Sequence, residues 1–153
     1  MDDISAGPLD ERVVDLLGRR VVTAVVATVD ESGDPWTTPV NIITSISRST
    51  IRIALERRSV ALANIERRGR VMIAVLDEGN VAVGIRGRAA VVKPSMESNP
   101  LMAMVEVEVD GVKDDSWPDF VVCQGIRTRP RHESITLSFR AVFAELRSQR
   151  APE

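Results

Sequence analysis

The sequence predicts a mainly β domain: an antiparallel barrel, closed or partly closed, with short flanking helices. Three observations point to it. Segments rich in β-branched residues (VVTAVVATVD, WTTPVNIITSI, IRIAL, VMIAVL, VAVGIRGRAAVV) follow one another across short turns, the pattern of hairpin-linked strands. Only two or three stretches carry helical periodicity. So many antiparallel strands with so few covering helices are best protected by closure, which removes exposed edges. At 153 residues, 44% hydrophobic and 27% charged, the chain can bury a core of its own, and residues 1–153 read as a single domain.

The elements follow in order. Apolar residues at 9, 13, 14, 16 and 17, with acids early, predict a helix over Leu9 to Leu17 ended near Gly18. Strands are expected over 21–30 and 36–46, joined by the turn ESGDP, and over 51–55 after a turn at Arg48 to Thr50. A helix then interrupts the series, with Ser59 as its N-cap and Gly69 as its stop. Strands resume over 71–76 and 81–92 around the turn DEGN, and in the second Val81, Val83, Ile85, Ala89 and Val91 share a face. Gly84 and Gly87 mark a bend or a close approach. The loop KPSMESNP leads to a half-buried strand in which Val105, Val107 and Val109 alternate with Glu106, Glu108 and Asp110. A seventh strand is expected over 120–128. Ile135, Phe139, Val142, Phe143 and Leu146 then recur at helical spacing toward the end.

Composition narrows the chemistry. A net charge of -2 gives no general attraction to nucleic acid or to an anionic membrane, so any anion site must be local. The opening segment lacks a basic start followed by an apolar core, and no 18-residue apolar run occurs, so a cytoplasmic location is expected. Cys123 is the one cysteine and His132 the one histidine, which leaves no thiolate cluster or His-based zinc site. If the chain is an enzyme, a cofactor is expected to carry the chemistry.

Taken in order, the N-terminal helix, ATVDESGDPWTTPVNII, a strand ending in LERRS, the helix ALANIERRGRV, VMIAVLDEGN and a strand carrying IRGRAAVV resemble the pyridoxamine 5'-phosphate oxidase-like flavin-binding split barrels over residues 10 to 93. That resemblance implies an antiparallel split β-barrel and a homodimer holding FMN, or in some branches a deazaflavin, in grooves between subunits. It implies an oxidoreductase passing hydride or electrons between a reduced nicotinamide and a small acceptor. The alternative within the same fold is a cofactor-free dimer serving as a binding or stress-related module.

Carried over residue by residue, the resemblance places Ser59, Val60 and Ala61 where the oxidases have a phosphate-gripping Ser-Arg-Lys triplet, and Thr38 and Ile43 where they have an arginine and a lysine. Arg57 and Arg58, just before the helix, either supply the charge from a shifted position or are its solvated ends. Thr37, Thr38, Pro39, Val40 and Asn41 occupy the strand that lies along the flavin ring in relatives, or simply form a hairpin strand. Arg86 and Arg88 belong to a strand at the dimer seam; the alternative is a surface pair matched to Glu106 and Glu108. Trp117 stacks on a ring or packs. The chain lacks the terminal tryptophan and arginine segment of the oxidases, so pyridoxamine phosphate oxidation is not the expected activity.

Two features stand outside the resemblance. IRTRPRH gathers Arg127, Arg129, Arg131 and His132, either an anion clamp or a solvated turn. Cys123, set among valines, is expected to be a buried, inert thiol.

Overall fold

The structure, a computed structural model, describes residues 3–148. Its elements are β1 (Ser5–Ala6), α1 (Glu11–Arg19), β2 (Ala24–Val29), β3 (Pro35–Val40), β4 (Ile43–Ser45), β5 (Thr50–Glu56), α2 (Val60–Arg68), β6 (Arg70–Asp77), β7 (Val81–Lys93), β8 (Met102–Asp114) and α3 (Glu133–Ser148). All strand pairings are antiparallel, in the order β3-β2-β6-β7-β8-β5-β4, with β1 on the far end of β8. This is the split barrel that the sequence predicts.

The split has a visible cause. β3 and β4 stand at opposite ends of the hydrogen-bonded path, yet only Asn41 and Ile42 separate them in the chain. The strand expected over 36–46 is therefore one extended run bent at this corner, where the Ala54 amide donates to the Ile42 carbonyl at 3.0 Å. The bend carries the chain from one edge of the curled sheet to the other and leaves β3 with a single partner, β2.

Inward-pointing residues of the strands form the main core, with Val26, Ile51, Ile53, Ile73, Ile85, Val105 and Val107 fully buried or nearly so. Each such side chain contributes roughly 1.5–3 kcal/mol relative to exposure. Helix α1 adds Val13, Leu16 and Leu17 to this core, and α2 adds Ala61, Leu62 and Ile65. Asp10 caps α1 by accepting from the Val13 amide at 3.1 Å. Gly18 lies within α1 rather than ending it, and a Cβ there would meet the Ser45 hydroxyl at 3.1 Å. Helix α3 covers the outside of the barrel instead, where Val142 and Leu146 pack with Ala54, Met96 and Met104 in a second, smaller cluster.

The seventh strand expected over 120–128 does not form. Residues 115–132 make an extended arm whose only ladder contact, among the described residues, is the bridge Trp117 to Phe120. The reason is that β6, beside which the arm runs, is already paired on both sides, by β2 and β7, and offers FVVCQGIRT no open ladder there. The arm bonds to the β6–β7 turn: Asn80 gives its amide to the Val122 carbonyl at 3.1 Å and receives the Val122 amide on Oδ1 at 3.0 Å. Without a sheet to enclose it, Cys123 is exposed, contrary to the sequence expectation of a core thiol.

Candidate functional site

The start of α2 follows the sequence reading closely. Ser59 accepts the Leu62 amide on its hydroxyl at 3.2 Å, and Gly69 ends the helix in the left-handed region at φ 64°. The first amides, of Val60 and Ala61, have no acceptor within the helix, as at any helix start. Val60 is exposed and Ala61 is buried. The two arginines before the helix differ. Arg57 turns onto the loop before β8: its amide donates to the Leu101 carbonyl at 2.9 Å and its guanidinium to the Pro100 carbonyl at 3.4 Å. Arg58 is exposed and has no ion pair among the described residues.

β3 lies alongside, because α2 packs against β2, β3, β5 and β7. On it Thr38 is half-buried, Pro39 exposed and Val40 part of the core, while Asn41 is half-buried at the corner. The outer edge of β3 has no partner among the described residues, where β2 alone pairs with it. Arg58 and Ser59 stand at the start of α2, a helix that packs against β3, while Asn41 turns into the β3–β4 corner.

Arg86, Arg88 and Trp117 belong elsewhere. Arg86 donates from Nε to Asp110 Oδ1 at 2.6 Å, and Arg70 lies 3.9 Å from the same carboxylate. The Arg86 hydrogen bond, opposed by desolvation and aided by the charges of Arg70 and Arg88, holds the Asp110 carboxyl below its ordinary range. The expected pairing with Glu106 and Glu108 is corrected here. The register sets Glu106 opposite Ala90 and Arg86 opposite Gly111, so Arg86 reaches the adjacent Asp110, while Glu106 is taken by the buried Arg52 at 3.1 Å. Arg88 stands opposite Glu108 on one side and Arg70 on the other, without an ion pair among the described residues. Trp117 is 64% exposed on the arm.

The IRTRPRH segment divides. Arg127 grips the buried Asp77 at 2.8 Å, and the Gly125 and Glu78 amides donate to the same carboxylate at 3.2 and 2.6 Å. Burial raises the Asp77 pKa, but these bonds outweigh it and hold the carboxyl below its ordinary value. Arg129, Arg131 and His132 run on to line a cleft of about 860 Å³ between the arm, α3, the end of α1 and the β3–β4 corner. Arg19, Arg20, Arg140 and Arg147 also line it, together with Phe139, Phe143 and Asn41, and among the described residues no carboxylate does. Among the residues expected from the sequence for the cofactor, only Asn41 reaches this cleft. Sequence reasoning missed the α3 contribution, although Arg140 and Arg147, seven positions apart on the helix flank of Phe139 and Phe143, carried a signal in their spacing.

Comparison with known proteins gives a consistent result. The family model described as pyridoxamine 5'-phosphate oxidase matches residues 9–125. A candidate pyridoxamine 5'-phosphate oxidase of Lactobacillus delbrueckii shares 23% identity, with 73% of this chain and 98% of that one covered and a TM-score of 0.62. An FMN-binding protein of Syntrophomonas wolfei shares 17% identity over 70% of this chain and 86% of that one, with a TM-score of 0.54. An F420 reductase shares 15% identity over 64% and 94%, also with a TM-score of 0.54. At these identities the likeness is one of fold. No curated protein matches the chain. The family model spans most of the barrel and both helices that enter its core, and so the chain belongs to the pyridoxamine 5'-phosphate oxidase-like family.

Proposed function

We propose that the chain binds a flavin along the free edge of β3 and the start of α2 and acts as an oxidoreductase on a small acceptor. Family membership supports this, and one observation carries it: an exposed Arg58, with no ion pair among the described residues, precedes two free helix amides at the start of α2, a helix that packs against β3, whose outer edge has no partner among the described residues. Phosphate is held by charge-assisted bonds and by helix-start amides, and both donor types are present. The set is leaner than the Ser-Arg-Lys grip, but it fits one monophosphate. The free edge of β3, with Thr38 and Asn41, offers backbone and amide groups to the polar rim of a flavin ring. When bound, the flavin supplies the redox chemistry, and the chain's own groups hold and orient it.

FMN is the first reading. The absence of cations at Thr38, Ile43, Val60 and Ala61 favours a second, a deazaflavin gripped differently, and likeness to the F420 reductase fold is compatible with it. We propose further that the chain works as a homodimer, a reading supported by Leu76, Trp117, Phe120 and Val121, each more than half exposed. Light scattering of the purified protein measures that mass directly.

The test of the function is colour and titration. Protein that is yellow as purified, with a band at about 450 nm, or that quenches FMN fluorescence stoichiometrically, supports the reading. Colourless protein that takes up neither FMN nor a deazaflavin overturns it and leaves the cofactor-free module.

A further inference from the structure

The arginine-lined cleft has no part in the flavin reading, sharing only Asn41 with it. Six arginines line it without one carboxylate among the described residues, in a chain whose net charge is -2. Such a concentration of one sign in a concave, partly apolar wall focuses a local positive potential. Two of the six are partly answered: Arg20 pairs with Glu78 at 2.9 Å and Arg19 approaches Asp15 at 3.9 Å. Arg129, Arg131, Arg140 and Arg147 have no acidic partner among the described residues. Arg147 lies over the Phe143 ring at 5.0 Å and reaches the Thr44 hydroxyl at 3.4 Å, which holds it in place without neutralising it.

We infer that this cleft binds a small molecule carrying a diphosphate and a flat aromatic portion. The charge argues for the diphosphate. Four unanswered guanidiniums exceed what one carboxylate or a monophosphate can satisfy, and planar donor forks match phosphate oxygens two at a time. The floor argues for the flat portion: Phe139 and Phe143 form a tilted pair with centroids 6.2 Å apart, an apolar surface between the cations. A volume of about 860 Å³ suits a ligand of nucleotide or dinucleotide size.

The construction of the wall supports a built site. Arg129 and Arg131 sit on the arm directly after the Asp77–Arg127 clasp, which fixes where the arm leaves the barrel. Arg140 and Arg147 sit on α3, which the buried Arg52 fastens to β5. These four residues lie beyond the 9–125 span of the family model, so the unanswered cations are an addition to a wall that the matched span supplies through Arg19, Arg20 and Asn41.

The experiment is calorimetric titration of the full chain, FMN-free and FMN-loaded, with ADP and with inorganic pyrophosphate. The expected result is saturable ADP binding, weaker binding of pyrophosphate, and strong loss of both with added salt. Arg131→Glu with Arg140→Glu, both exposed positions, should weaken ADP at least about tenfold with no change in melting temperature or FMN affinity. Phe139→Ala should narrow the gap between ADP and pyrophosphate. No saturable binding at millimolar ADP overturns the proposal, as does equal affinity for ADP and pyrophosphate. Displacement of ADP by FMN, with FMN affinity lost in the double variant, also overturns it: flavin binding would then stand, but at this cleft rather than at the start of α2.

Discussion

Arg52, fully buried on β5, donates from Nη1 to the carbonyl of Leu146 at 3.0 Å, across 94 positions of sequence. Its Nε meets Glu106 Oε2 at 3.1 Å, so a single guanidinium ties the last turn of α3 to both β5 and β8. Carbonyls in the last turn of a helix lack partners within it, and a cation there also complements the helix dipole. Arg52→Ala should therefore cost about 3 kcal/mol, because it strands the Glu106 carboxylate as well as the carbonyl. Arg52→Met with Glu106→Leu should recover much of that loss. Urea denaturation measures both, and an unchanged midpoint in Arg52→Ala would mean that α3 is held by apolar packing alone.

Glu145 anchors the same helix from its other flank. Its carboxylate accepts Lys93 Nζ at 2.8 Å, the Ser98 amide at 2.6 Å and the Glu97 amide at 3.1 Å. Burial opposes its ionisation, but Lys93 and the loop amides prevail and lower the pKa from 4.5 to about 2. A carboxyl lowered on folding stabilises the protein above its unfolded pKa and loses that contribution as the pH falls through the folded one. The α3 contact should therefore weaken progressively between pH 4.5 and about 2. Glu145→Gln should remove about 1–2 kcal/mol at neutral pH and flatten this acid limb. Thermal unfolding from pH 7 to pH 2 checks it: parallel curves for the two proteins would contradict the assignment.

The barrel was legible in the sequence because most of its strands announce themselves locally, although β1 was not read and β3 and β4 were read as one strand. Val105, Val107 and Val109 alternate with acids, and the Ser59 cap and Gly69 stop delimit α2 by side-chain chemistry that needs no tertiary context. The segment 120–128 misled for the complementary reason. FVVCQGIRT has strand composition, but whether a strand forms depends on a free edge, and β2 and β7 occupy both edges of β6. Cys123 is exposed as a consequence. The fate of Arg86 was hidden because alternation does not set the register between strands, and the register puts Glu106 opposite Ala90 and leaves Arg86 beside Asp110. The arginine cleft was half visible: IRTRPRH stood out as a cluster, but its meeting with Arg19, Arg20, Arg140 and Arg147 depends on how the arm and α3 return to the β3–β4 corner.

The arm is expected to hang on two close fits. A Cβ at Gly125 would lie 2.5 Å from the Leu76 carbonyl oxygen and 2.8 Å from the Asp77 Cγ, both parts of a paired strand that cannot yield. Gly125→Ala should lift the arm, and Asp77→Asn should release it by leaving Arg127 without its carboxylate. Both variants should keep the barrel, because the main core contains no arm residue. Limited trypsin digestion should then cut at Arg127 or Arg131 several-fold faster than in the unaltered chain. Equal cleavage rates would show that the clasp does not hold the arm.

Charge and cap can be separated at the start of α2. Arg58→Ala removes the one unpaired guanidinium of the proposed phosphate grip, and the loss of a charge-assisted bond of about 1.5–3 kcal/mol should weaken FMN roughly ten- to a hundredfold. Its exposure means that the melting temperature should not move. Arg57→Ala should leave FMN affinity unchanged, since that side chain is turned onto the Pro100 carbonyl. Ser59→Ala should do the reverse of Arg58→Ala: it removes the acceptor for the Leu62 amide and costs about 1 kcal/mol of stability, with a smaller effect on FMN. Fluorescence titration with FMN, run beside thermal unfolding on the same three variants, resolves the two effects. Equal FMN affinity in Arg58→Ala and the unaltered chain would remove the phosphate from this helix start.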